Sequence, residues 1–335
     1  MTIYLYKSSI LFKIRPPEEL LVFIPKECAM KEISQITSKF PIRFEYVALI
    51  IATIAVSGAS IFIRYSISTA ITIAFWRLFL VVLLLSPLLL SAEIRRQFRS
   101  VSSFGHMKYF ILAGFFLSLH FFSWIQSLEY TSVAASVIVV NSSPLWVIFL
   151  SFALFRETIT SSQVIGLILC FFGIILIAFG EVSSQLLGSF QEGVFLALFG
   201  ALMVACYFII GKQMRSRFNV SNIAYTYFVN AYCTIFLFLY SLGLSENVWI
   251  FPSSDMTWFL ALAIGPSLLG HALYTYSMKK LSAQVVSLTV LGEAAGASIL
   301  GFIFLSERLP FTTLLGGIFI GIGIILAVLT EDQSM

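Results

Sequence analysis

After Arg43 the chain is a succession of apolar runs, each about as long as a bilayer is thick. A helix rises about 1.5 Å per residue, so about 20 apolar residues cross a hydrocarbon core of roughly 30 Å. Ten such runs follow one another, at 45–63, 71–90, 108–127, 132–155, 162–179, 193–211, 223–243, 257–277, 283–305 and 311–329. In lipid every backbone polar group must be satisfied within the chain, which leaves helices or a closed barrel. Barrel strands are alternating segments of about ten residues, unlike these continuous runs. The expectation is an all-α polytopic membrane protein with ten transmembrane helices.

Composition matters here in one respect. Only 11% of the residues are charged, against about 25% in soluble domains, so the net charge of +4 speaks to orientation and not to nucleic acid. Cys28, Cys170, Cys206 and Cys233 are scattered without ligand spacing, which implies neither a disulfide framework nor a zinc site. No metal or other cofactor is expected.

Residues 1–44 differ in kind. They mix basic and acidic side chains, Pro16-Pro17 interrupts any helix, and no signal-peptide core is legible. They read as a cytoplasmic tail, or in part as sequence upstream of a true start at Met30. Orientation follows from the connections. Of the 20 Lys and Arg residues, 17 fall in the tail and the even-numbered connections. Arg64 and Arg308 alone stand on the other side, beside Glu129, Glu181, Glu192, Glu246 and Asp255, while Arg77 lies inside a span. By the positive-inside rule both termini are cytoplasmic, and the expected location is the cell inner membrane.

A shift of 150 positions brings like residues together. Ser127 meets Ser277, Glu157 meets Glu307, Gly166 meets Gly316, Gly173 meets Gly323, and Ile174-Ile175-Leu176 meets Ile324-Ile325-Leu326. The halves are then 45–180 and 193–330, five spans each. An odd number of spans turns the second half over, giving an inverted-topology duplication of the kind that places a transport site at midplane.

Glu293 is the acid that falls deep inside an apolar run. A carboxylate there costs a few kcal/mol by insertion scales and normally faces a bundle interior, on a substrate or ion path. The plain alternative is a glutamate that only ties helices together. The repeat sets Ser143-Pro144 opposite Glu293-Ala294. In Asn141-Ser142-Ser143-Pro144 the proline frees the Val140 carbonyl for a substrate, or makes a kink that the serines repair. Gly292, Gly296, Ala297 and Gly301 suggest a close-packing face that the glutamate must avoid. Arg77, beside Trp76, is expected to snorkel outward, or else to meet a substrate carboxylate in a vestibule. His120 and His271 sit inside the third and eighth spans as structural histidines or proton-relay candidates, with Glu293 a third such candidate. Trp124, Trp146, Tyr207, Tyr274 and Tyr276 lie away from the loops and are candidate cavity aromatics.

These residues resemble the drug/metabolite transporter superfamily, EamA type. The likeness is carried by Phe75-Trp76-Arg77-Leu78-Phe79, by Leu128-Glu129-Tyr130-Thr131-Ser132-Val133-Ala134, and by Pro144 followed by Glu157. In the second half Gly292-Glu293 and Leu305-Ser306-Glu307-Arg308-Leu309 carry it. Ala294 stands where that family usually has proline. The resemblance implies five-plus-five inverted repeats, a central cavity opening alternately to each side, and transport of small metabolites, often amino acids.

A secondary transporter is therefore the expected function, with a small-molecule metabolite and the bilayer as partners and a monomer or weak dimer as the assembly. A membrane enzyme would want clustered aspartates, but Asp255 and Asp332 both lie outside the spans. No phosphate loop suggests ATP hydrolysis, and no ATPase partner is required. One acid and one arginine among aromatics suit a zwitterion or cation. Exchange of S-adenosylmethionine for S-adenosylhomocysteine, known in a branch of the superfamily from intracellular bacteria, is the sharpest expectation. Proton-coupled amino-acid export is the alternative, and an integral membrane enzyme or a channel the more distant rivals.

Overall fold

The computed structural model describes residues 2–6, 9–13, 23–25, 44–92, 95, 104–130, 133–156, 158–181, 190–214, 220–277, 280–281, 286, 289, 292–306 and 311–329. Contacts divide the chain into Met1–Val47 and Ala48–Met335. The first unit holds three strands, β1 (Thr2–Tyr6), β2 (Ser9–Lys13) and β3 (Phe23–Pro25), paired antiparallel in that order. Thr2 stands opposite Lys13 and Ser9 opposite Pro25. This is a difference from the expected tail. Thr2-Ile3-Tyr4-Leu5-Tyr6 is rich in β-branched and aromatic residues, which favour a pleated strand.

Past residue 43 every described regular element is helical. The first is α1 (Phe44–Ser57), broken from α2 (Ala59–Tyr65) at Gly58. Next come α3 (Ala70–Leu85), continued by a 3-10 turn to Leu90, and α4 (Phe104–Tyr130). The fourth expected span is discontinuous: α5 (Val133–Val140) and α6 (Ser143–Phe155) flank a turn at Asn141-Ser142. Pro144 occupies the second position of α6, where its missing N–H leaves no helical bond unmade. Then follow α7 (Ser161–Glu181), α8 (Phe190–Lys212) and α9 (Asn222–Gly243). The eighth span is composite, with α10 (Asp255–Leu262), a π-helical stretch over Ala263–His271 containing Pro266, and α11 (Ala272–Ser277). Last are α12 (Gly292–Leu305) and α13 (Phe311–Leu329).

Among the described residues six helices are long and apolar enough to cross a membrane, and shorter apolar helices cover Ser161–Gly173, Gly292–Leu305 and Leu314–Gly323. Large apolar side chains such as Ile54, Phe195, Phe302 and Ile303 stand exposed on their helices. A soluble monomer rarely exposes so much apolar surface, whereas lipid accepts it.

Inside the second unit α4 packs on α8 and α9, α9 also on α3, and α7 on α13. Glycines bring three elements together. A Cβ on Gly296 would meet Ser57 Cβ at 2.8 Å, and one on Gly270 would overlap Val56 Cγ2. The C-terminal end of α1 is thus held against both the π stretch and α12. Among the expected motif residues, Thr131, Ser132, Glu157 and 307–309 lie outside the described residues.

Candidate binding site

Glu293 stands in the first turn of α12 and is 4% exposed. It forms one wall of a small chamber. The broken helix contributes Val140, Asn141 and Ser143 to it, and α4 contributes His120 and Trp124. The remaining walls are Val56, Val204, Phe208, His271 and Tyr274. The water-accessible volume is about 30 Å³, room for about two waters. Seven of the residues expected from sequence therefore come together here: Glu293, Asn141, Ser143, Trp124, Tyr274, His120 and His271.

The polar groups around the chamber are under-used. Trp124 Nε1, Asn141 Nδ2, Ser143 Oγ and His271 Nδ1 are all buried, and none has a hydrogen-bond partner among the described residues. Each such group costs about 1–3 kcal/mol when left dry and unmatched. Asn141 and Arg77 are the side chains whose dipole and charge act on the Glu293 carboxylate, yet Asn141 Nδ2 meets no acceptor in hydrogen-bonding geometry.

Other groups are fixed. His120 Nδ1 lies 3.0 Å from the Gly200 carbonyl. A carbonyl only accepts, so this nitrogen carries the proton, and in the neutral ring Nε2 is left as an acceptor. The imidazole stacks on Trp124 at 5.9 Å. Tyr274 Oη pairs with Thr53 Oγ1 at 3.2 Å, and the single Thr53 hydroxyl proton faces the Leu49 carbonyl at 2.9 Å and the Thr289 carbonyl at 3.2 Å. That link joins α1, α11 and the segment before α12 along one edge of the chamber.

Arg77 overturns an expectation. It does not snorkel but is fully buried, with Nε donating to Ser267 Oγ at 2.7 Å and its guanidinium carbon 4.2 Å from the Phe121 ring centroid. Cation–aromatic contact in a dry site is worth about 2 kcal/mol or more, and this offsets part of the charge's desolvation. Ser267 and Phe121 belong to a second, smaller hollow that shares His271 with the chamber. Tyr207 lines that second hollow instead of the first. Ser142 lies in the break with its hydroxyl buried and does not line the chamber. Trp146 and Tyr276 are half-buried and line neither hollow. The side chain of Pro144 is outside the described residues. Sequence reasoning missed Val56, Val204, Phe208 and Ser267; Val140, expected to offer its carbonyl, does line the chamber. Only Ser267, a polar residue beside Pro266 in mid-span, left a signal.

Comparison with known proteins gives the family. The EamA-like transporter family matches twice, over residues 43–179 and again over 191–329. The chain belongs to the EamA-like transporter family. A protein of Archaeoglobus fulgidus described as an uncharacterized transporter is 23% identical to this EamA-like protein over 295 residues, 85% of this chain and 96% of its own. A Bacillus subtilis protein, uncharacterized transporter YxxF, is 25% identical over 225 residues, 66% of this chain and 70% of its own. A crystal structure 17% identical superposes with a TM-score of 0.65, covering 86% of this chain and 98% of its own, a likeness of fold. The protein is a multi-pass membrane transporter.

The EamA-like unit has a second polar cluster, away from the chamber. Asp255, 1% exposed, takes hydrogen bonds on one carboxylate oxygen from Ser66 Oγ (2.7 Å), Ile67 N (3.0 Å), Ser68 N (2.9 Å) and Ser68 Oγ (2.6 Å). Nearby, Thr69 Oγ1 donates to Glu246 at 2.6 Å and Trp76 Nε1 to the Val248 carbonyl at 2.7 Å. Tyr65 Oη donates to the Phe304 carbonyl and stacks on Trp258. The α2–α3 loop is thereby tied to the start of α10 and to the last turn of α12.

Proposed function

We propose that the protein is a secondary carrier that moves a small metabolite across the cell inner membrane by alternating access, with the Glu293 chamber as its binding site. The observation that carries this reading is the convergence of four unpartnered buried polar groups with Glu293 on one small chamber. Buried hydrogen-bonding groups without protein partners are what a polar solute needs on arrival.

The carrier is built from two five-span repeats, 45–180 and 193–330, in inverted topology with both termini cytoplasmic. Support comes from the double family match and from an internal register of 150 residues. Helices α6 and α12 end at Phe155 and Leu305, and α7 and α13 begin at Ser161 and Phe311. Arg156 and Ser306, also 150 apart, both take a positive φ, 54° and 55°. A left-handed residue closing a helix is usually glycine, so two non-glycine examples at matching places favour common descent over chance.

The solute is a zwitterion or cation, with exchange of S-adenosylmethionine for S-adenosylhomocysteine as the specific candidate and amino-acid export as the alternative. Counterflow in proteoliposomes tests the carrier reading. Preloaded unlabelled solute accelerates uptake of its labelled form if the protein is a carrier. A channel or an enzyme gives no such acceleration.

A further inference from the structure

We infer that Arg77 is a positioning residue: acting through Ser267 and Phe121, it holds the π-helical stretch in the register that turns His271 towards the chamber. This rests on the carrier reading above and deepens it, since it says how one wall of the proposed binding site is kept in place.

Arg77 is fully buried yet lines neither the chamber nor the smaller hollow. Two side chains that it touches line the smaller one. Its Nε donates to Ser267 Oγ at 2.7 Å, and Ser267 stands in the π stretch over Ala263–His271. Its guanidinium carbon lies 4.2 Å from the Phe121 ring centroid, and the Phe121 ring meets the His271 ring edge-on at 5.2 Å. Both paths from the guanidinium therefore lead to His271, which closes the same stretch and lines both hollows. A planar guanidinium can lie on a ring while donating within its own plane. A lysine ammonium, a compact point charge, offers no such pair of contacts at fixed angles.

The stretch needs an outside hold. π turns are rare and mostly last a single turn. This one runs over nine residues and contains Pro266, whose missing N–H takes one bond from it. Returning one turn to α geometry would re-aim the side chains beyond it by about 100°, the rotation of one residue. Other elements grip the stretch at its C-terminal end. A Cβ on Gly270 would overlap Val56 of α1, and Asn222 Nδ2 of α9 donates to the Ala272 carbonyl at 2.9 Å. Arg77 supplies the grip on the preceding turn, from α3. With both turns held, His271 stays at the chamber wall, its Nδ1 buried and without a hydrogen-bond partner among the described residues.

The test reads His271 directly and needs no ligand. The chain has three histidines, His106, His120 and His271. Full-length protein in detergent, isotopically labelled in the histidine ring, therefore gives three sets of NMR signals that single His→Gln variants assign. Arg77→Lys and Ser267→Ala should each displace the His271 ring signals in the same direction. The double variant should displace them no further than the larger single one, as a shared path requires. Ser267→Thr keeps the hydroxyl and should leave them in place. His271 signals unmoved in either single variant, displacements that add, or a Ser267→Thr protein that behaves like Ser267→Ala would each overturn the inference. A fall in thermal stability with the signals unmoved would make Arg77 a packing residue only. Should Arg77→Lys fail to fold, the comparison of Ser267→Ala with Ser267→Thr decides. Counterflow of labelled S-adenosylmethionine on wild type tests the carrier reading separately: its absence removes that reading for this solute and leaves the His271 result standing.

Discussion

Two residues, Glu293 and Arg77, show what a sequence can and cannot say about a buried charge. Glu293→Gln keeps shape and removes the negative charge. The expected outcome is loss of counterflow with thermal stability retained, read by transport per folded molecule; loss of yield with normal transport would mean a structural glutamate. Trp124→Phe keeps an aromatic ring to stack on His120 and deletes an unpartnered N–H. Folding should be untouched while ligand affinity falls by about 1 kcal/mol, the usual worth of one hydrogen bond, in a calorimetric titration. The glutamate was legible because an acid among apolar residues stands out at any depth. The arginine was misjudged because its supports, Phe121 and Ser267, come from spans distant in sequence. One arginine near a helix end carries no mark that distinguishes an escape to the surface from a seat on an aromatic face.

Among the elements, the two irregular ones frame the site. The break at Asn141-Ser142 was half-visible, since Pro144 announces an interruption but not whether the helix bends or stops. The π stretch over Ala263–His271 was not visible at all, because Pro266 alone signals a kink and not a change of hydrogen-bond register. Such stretches gather at functional sites, and this one carries both Ser267 and His271. Its glycines separate packing from freedom. Gly265 has open space where a Cβ would go, whereas Gly296, on α12, has Ser57 Cβ at 2.8 Å. Gly296→Ala should destabilise by about 1–3 kcal/mol through overpacking, and Gly265→Ala by little, measured as thermal inactivation in detergent. The apolar windows were easy to read, since length and composition alone define a membrane-capable helix.

For the whole molecule, the Asp255 cluster ties the α2–α3 loop to the start of α10, on the non-cytoplasmic side in the proposed orientation, where it is expected to bar entry to the chamber. Asp255→Ala leaves two serine hydroxyls and two backbone N–H groups without their acceptor. A cysteine placed at Val204 in the chamber should then react faster with a membrane-impermeant maleimide applied from that side, and unchanged labelling would show that the cluster does not bar entry. The chamber itself has a thermodynamic consequence. At about 30 Å³ of water-accessible volume it admits no amino acid, so a ligand binds only to an expanded conformer that the resting protein visits in some fraction of molecules. Measured dissociation constants then equal the intrinsic value divided by that fraction. Any substitution that loosens the Asp255 cluster should tighten apparent binding of every true substrate by one common factor, while leaving their rank order untouched.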